Sequence, residues 1–379
     1  MAKVYYKIDY VMEIDRYCFI LSNSNEFSDK EEFVFNKDNP LTKDQIIWID
    51  VVDSDFIFPE DASGLFYGAT NEIFNGMDRW DTSACTNMSY LFAECHNLKN
   101  SGYYQDPEFF PGAIQYYFSA LGWDVSNVTD MSHMFENCVS MEEFIFNMWD
   151  TSKVTDMSYM FSRMNYSQED ITPITSIDVS DWDTSNVTNM SHMFEYLKCD
   201  PESFLELRMN NWDTSKVTDF SYMFMAMNFN FSISNFSTIK ATSLNSMLSG
   251  TRLPFYDISH FDTSGADCAY MFRHCALATE INIGEMDLSS TTIVEDMFEH
   301  CQNVERIIAT PGTDWSIYPE SQFTTTDNVF IGCDSLLNWD GNTDLSKANN
   351  TKSDGYFTVG TKNWKKFVDH LKMMLSDIL

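Results

Sequence analysis

Large apolar residues return at fixed intervals along most of this chain. WDTSKVTDMSYMF, from Trp149 to Phe161, recurs as WDVSNVTDMSHMF from Trp123, WDTSNVTNMSHMF from Trp182 and WDTSKVTDFSYMF from Trp212. Taking the closing residue as an anchor gives Phe92, Phe135, Phe161, Phe194, Phe224, Leu248, Phe272, Phe298 and Phe330, with basic steps of 24 to 26 residues and insertion-bearing steps of 30 to 43. A fixed period of this size marks a repeat architecture. Apolar pairs spaced by two precede the Trp-type positions, as in Phe144 and Phe146 or Ile281 and Ile283, and predict a short strand with one face inward. Before each anchor the spacing changes: Met157, Met160 and Phe161 share one arc of a 3.6-residue helix, and the residue at position −2 points away from it. The intervening TS and TD supply turn and capping groups. Each rung therefore reads as strand, turn and short helical segment, and about nine such rungs make a repeat solenoid.

The register slips once, at FDTSGADCAYMF from Phe261, and the repeat from Phe236 has degenerated to FSTIKATSLNSML. The unit WDTSxVTDMSxMFxxC resembles the BspA-like leucine-rich-repeat surface proteins, also found as mycoplasma lipoprotein-type repeats. The resemblance covers about residues 65 to 358, including PGTDWS at Pro311 to Ser316, FIGCDSL at Phe330 to Leu336 and GYFT at Gly355 to Thr358. It implies a leucine-rich-repeat-like right-handed β/α solenoid, a cell-surface location and a role in adhesion.

The ends do not repeat. Residues 1–64 carry apolar runs separated by turn residues and predict a small β-rich N-terminal unit, either a cap on the first rung or an attachment unit. After the solenoid of 65–358, Trp364, Phe367, Val368, Leu371, Leu375 and Ile378 fall at helical spacing, so 359–379 predicts a C-terminal amphipathic helix that caps the last rung or docks elsewhere. The insertion near 99–115 holds Tyr103, Tyr104, Phe109 and Phe110, an aromatic loop suited to binding or to packing over its neighbours.

Charge narrows the partners. With 23 Lys plus Arg against 57 Asp plus Glu, the formal charge is −34, which excludes nucleic acid as an expected partner. No segment has the roughly 18 apolar residues needed to span a bilayer, and no signal peptide, lipobox, sortase motif or other anchor is recognisable. The chain lacks HExxH, CxxC, nucleophile-elbow, Walker and dinucleotide-binding signatures, so neither catalysis nor a cofactor is expected.

The remaining chemistry belongs to the repeat. Cys95, Cys138, Cys275, Cys301 and Cys333 follow their anchors by three and fill apolar slots, with a Cys275–Cys301 bridge as the alternative. Asp81, Asp124, Asp150, Asp183, Asp213, Asp262 and Asp287 predict turn-forming carboxylates, or else a row of Ca²⁺ ligands; no metal site is expected. Position −2 carries Tyr90, His133, Tyr159, His192, Tyr222 and Tyr270, an outward stripe that either contacts a partner or stacks on itself. The expected function is non-catalytic recognition of a protein or glycan ligand. The alternative is a structural or host-recognition component of a phage or virus particle, attached through either end.

Overall fold

The computed structural model of the chain describes residues 5–11, 16–22, 46–51, 56–69, 73–74, 80–98, 101–104, 114–117, 122–141, 143–146, 148–164, 174, 176–198, 206–291, 293–323, 328–343 and 345–359. The chain forms two compact units, Met1–Phe236 and Ser237–Leu379. Each contains a run of parallel β-solenoid rungs.

In the first unit, β1 (Tyr5–Val11), β2 (Arg16–Ser22), β3 (Ile46–Val51) and β5 (Ile73–Phe74) form a four-stranded sheet, antiparallel between β1 and β2 and parallel thereafter. The rungs contribute β4 (Phe56–Ile57), β6 (Trp80–Asp81), β9 (Glu143–Ile145), β10 (Ser176–Asp178), β11 (Glu206–Leu207) and β12 (Asn230–Phe231), paired in parallel as β4 with β6, β9 with β10 and β11 with β12. A hairpin of β7 (Ser101–Tyr104) and β8 (Ile114–Tyr117) rises from the longest insertion. In the second unit, β13 (Phe255–Asp257), β14 (Glu280–Gly284), β15 (Arg306–Ala309) and β16 (Phe357–Val359) make one parallel sheet.

The helical segment expected before each anchor is replaced by a chain of turns. In the rung ending at Phe135, the N–H groups of Met131, His133, Phe135 and Asn137 donate to carbonyls of the next rung, Asp156, Ser158, Met160 and Ser162. Those of Met134, Glu136 and Cys138 return to carbonyls three residues back. An α-helix would consume the same N–H groups internally, at i−4, and leave nothing to join rung to rung. The alternation requires a left-handed residue at position −2 and again at +2: φ is 59° at His133 and 58° at Asn137, and the same two slots are positive from Tyr90 and Glu94 to Tyr222 and Ala226. Among the described residues the helical elements are three 3₁₀ turns, Trp315–Ile317, Glu320–Gln322 and Leu345–Lys347. The amphipathic helix expected over 359–379 lies outside the described residues.

A rung also stands ahead of the first motif. Phe56–Ala69 has no Trp, yet Phe56 pairs with Trp80, Asp61 bridges Asn87, and the N–H groups of Gly64, Phe66 and Gly68 donate to Ser89, Leu91 and Ala93. Glycine occupies both of its left-handed slots, with φ of 61° at Gly64 and 67° at Gly68.

The core is built of aromatic columns. Phe66, Phe92, Phe135, Phe161, Phe194 and Phe224 stack in turn, with centroids 5.4 to 6.0 Å apart and planes within 13°. Trp123, Trp149, Trp182 and Trp212 form a second column at 6.2 to 6.4 Å. In the second unit Phe272, Phe298 and Phe330 repeat the arrangement at 5.4 and 5.5 Å. The thiols at +3 are buried and free, and each donates to the anchor carbonyl of the preceding rung: Cys95 to Phe66, Cys138 to Phe92, Cys275 to Leu248, Cys301 to Phe272 and Cys333 to Phe298, at 3.0 to 3.2 Å. Burial pushes the thiols of Cys85 and Cys333 up to about 12, so neither is a thiolate near neutrality.

Phe161 is fully buried between two ring neighbours of its column. Phe161→Ala is expected to cost about 3–5 kcal/mol, read as a lowered denaturant midpoint. A thiol reagent is expected to label the described cysteines only as the protein unfolds; rapid labelling of the native protein at Cys138 or Cys301 contradicts the buried column.

Candidate functional site

The motif's polar residues are consumed by the fold. The Asp after each Trp-type residue accepts the N–H two residues on: Ser83 to Asp81, Ser126 to Asp124, Ser152 to Asp150, Ser185 to Asp183, Ser215 to Asp213, Ser264 to Asp262 and Ser289 to Asp287, at 2.8 to 3.1 Å. These are Asx turns. Hydrogen bonds from Ser126, Ser152 and Ser215 hold the carboxyls of Asp124, Asp150 and Asp213 below the ordinary Asp range. The next Thr donates across a rung, Thr82 to the carbonyl of Asp124, Thr151 to Asp183 and Thr184 to Asp213, each at 3.0 Å. A further Thr ladder runs Thr218 to Thr188 to Thr155 to Thr129 to Thr86 through hydroxyl-to-carbonyl bonds of 3.0 to 3.2 Å. Among the described residues no group of three or more His, Cys, Asp or Glu is placed to hold a metal ion, and no helix is long and apolar enough to cross a membrane.

Position −2 is different, because its side chain leaves the rung. Tyr90, His133, Tyr159, His192 and Tyr222 form one continuous stack in the first unit, with centroids 4.1, 4.4, 4.1 and 4.4 Å apart and planes within 10°. The left-handed backbone under each ring costs roughly 1–2 kcal/mol, and each aromatic pair returns about 0.5–1.5 kcal/mol. Five rings share four pairs, so stacking returns about 2–6 kcal/mol against roughly 5–10 kcal/mol of strain and offsets it in part. Stacking covers the ring faces and leaves edges toward solvent: Tyr90, at the end, is 39% exposed, whereas the side chains of His133 and His192 are 17% and 18% exposed.

Each histidine is held by a glutamate three residues on. His133 Nδ1 lies 2.7 Å from Glu136 Oε2, and His192 Nδ1 lies 3.0 Å from Glu195 Oε2. An ionised carboxylate only accepts, so Nδ1 carries the proton in both rings. Glu136 and Glu195 were not among the candidate residues of the sequence reading, although a signal exists: both His rungs read SHMFE, and no Tyr rung places Glu directly after its anchor. Burial, and then the charges of Glu136, Asp130 and Asp156, raise the Tyr90 hydroxyl; burial, then Glu195 and Glu136, raise that of Tyr159. Both phenols are protonated near neutrality.

The other candidates separate from this column. Tyr270 occupies position −2 in the second unit, under the Arg273 guanidinium at 5.4 Å, and its neighbouring slots hold Ser246 and Asp296 rather than rings. Tyr103 and Tyr104 lie on β7, opposite Gln115 and Ile114 of β8. Phe109 and Phe110 lie outside the described residues. In sequence, the extra residues of the longer rungs of the first unit all come between position +3, at Cys95, Met164 and Leu197, and the strand that follows. Insertions at one point of a repeat commonly border its binding face.

The family described as "Mycoplasma protein of unknown function, DUF285" matches residues 60–103, 108–200 and 198–310. No curated protein and no solved structure matches the chain.

Two carboxyls respond to pH in opposite senses. Asp150 is depressed in the folded state, so its contribution is present above the ordinary Asp range and lost as pH falls through it. Asp150→Ala is expected to lower the melting temperature at pH 7, with the gap to the parent narrowing by pH 3. Asp296 is buried, with burial and then Glu299 and Glu295 raising its carboxyl and with Oδ1 lacking a hydrogen-bond partner. Its folded state therefore favours the protonated form, and stability falls as pH rises through that raised value. Asp296→Asn is expected to raise the melting temperature at pH 7 and to have no effect in acid.

Proposed function

This chain belongs to the Mycoplasma DUF285 family, and we propose that it is a non-catalytic recognition protein whose first unit presents the Tyr–His column as its contact surface. One observation carries the reading. Asp, Thr and Ser of the repeat motif are spent on Asx turns and inter-rung ladders, and Trp, Met and Phe on the core, whereas the side chains at −2 stand outside both. Phenolic and imidazole edges on a rigid scaffold offer hydrogen bonds at little entropic cost, a property that favours Tyr at interfaces. The ligand is a protein or a glycan at a cell surface, in keeping with the resemblance to adhesive repeat proteins.

The test screens the purified chain against arrays of extracellular proteins and glycans, then repeats the measurement with Tyr159→Ser, His192→Ser and Tyr222→Ser combined. Loss of at least about tenfold in affinity, equivalent to about 1.4 kcal/mol, with an unchanged circular dichroism spectrum is the expected result. Full retention of binding by a folded triple variant assigns the column to structure alone and turns attention to the hairpin of β7 and β8.

A further inference from the structure

We propose that the Tyr–His column of the first unit is built to receive a basic, extended polypeptide segment, rich in Arg or Lys; this rests on the recognition role of the column argued above. The first reason is steric. Ring faces 4.1 to 4.4 Å apart are closed to a ligand, so neither a sugar ring nor an aromatic group can stack on them along the column. What remains is a row of edges.

The second reason is the hydrogen-bonding character of that row. Because Glu136 and Glu195 pair with Nδ1 of His133 and His192, Nε2 is the ring nitrogen left to a ligand. These imidazole edges alternate with the hydroxyls of Tyr90, Tyr159 and Tyr222, which both donate and accept. A row of polar edges at a spacing of one rung suits a ligand that presents several hydrogen-bonding groups along an extended chain.

The third reason is the field around it. Burial raises the phenols of Tyr90 and Tyr159 most, and the carboxylates around them add to it, Glu136 and Glu195 at position +1 and Asp130, Asp156 and Asp219 at position −5, with Arg163 opposing. A chain with formal charge −34 repels sulfated or phosphorylated ligands and draws in cationic ones. Guanidinium and ammonium groups combine donors with the required charge.

The experiment measures binding of a fluorescein-labelled arginine-rich decapeptide to the full chain by anisotropy, beside a glutamate-rich decapeptide and a sulfated heparin-type oligosaccharide. Two doubly substituted proteins change the charge equally: Glu94→Gln with Glu136→Gln beside the column, and Glu285→Gln with Glu305→Gln in the second unit. The expected result is selective binding of the arginine-rich peptide, weakened about fivefold by the first pair, as loss of two ion pairs of up to 1 kcal/mol allows, and left within about 1.5-fold by the second. Tyr159→Phe with Tyr222→Phe, which keeps the stack and removes two hydroxyls, is expected to weaken it about threefold or more. Equal loss with both charge pairs reduces the effect to bulk charge and overturns the proposal, as does preference for the sulfated oligosaccharide. An anionic array ligand lost in the Ser triple variant leaves the recognition role standing while this inference falls; array binding untouched by that variant removes the role itself.

Discussion

Everything in this fold depends on directing alternate backbone N–H groups out of one rung and into the next. A seven-residue stretch cannot form a stable helix alone, and a helix would have no N–H groups left to join its neighbours. Turning the chain so that alternate amides point along the stack solves both problems, but it forces two residues per rung into the left-handed region. That requirement explains Gly64, Gly68, Gly250 and Gly332, all with positive φ, while Ala226, Ser246 and Asn328 hold the same conformation at the equivalent slots of other turns. Where an aromatic ring stands instead, as at Tyr159, the neighbouring rings supply part of the compensation.

The repeat motif follows from the same geometry. Stacked rungs bring like residues together, which favours Trp, Phe, Met and Thr and penalises Asp. The carboxylates survive because each is satisfied within its own turn, and the hydrogen bonds from the Ser hydroxyl and N–H to Asp124, Asp150 and Asp213 outweigh the repulsion of the row, since their carboxyls sit below and not above the ordinary range. Cysteine fits at +3 for a related reason: a thiol is small and apolar enough for the core and still donates to the carbonyl left over by the preceding rung.

Much of this was legible in the sequence, and the misreadings have physical causes. The period, the anchors and the outward direction of position −2 came directly from spacing. The helix did not, because apolar residues at −4, −1 and 0 face inward equally well from linked turns; periodicity reports which side chains share a face and says nothing of where the amides go. The rung at Phe56–Ala69 escaped because its signature residues are absent: Phe56 replaces Trp, and glycine replaces the ring. The stripe of Tyr and His could be located, but not its orientation. Only the geometry shows that faces are closed and edges open, and that Glu136 and Glu195 set which imidazole nitrogen carries the proton.

That last point decides what the column can offer. An aromatic row with free faces would select flat apolar groups, whereas a closed stack selects by the polarity of its edges. Here the edge polarity is imposed by glutamates at +1, one per histidine, within a surface already dominated by carboxylates. In the two SHMFE rungs the glutamate holds the histidine, whereas the rung anchored at Phe298 carries Glu299 at +1 with Asp296 at −2, so glutamate at +1 does not by itself require a ring at −2. Position −2 is held by its left-handed backbone but not by the core or the ladders, so its side chain, together with the residue at +1, sets the character of this face.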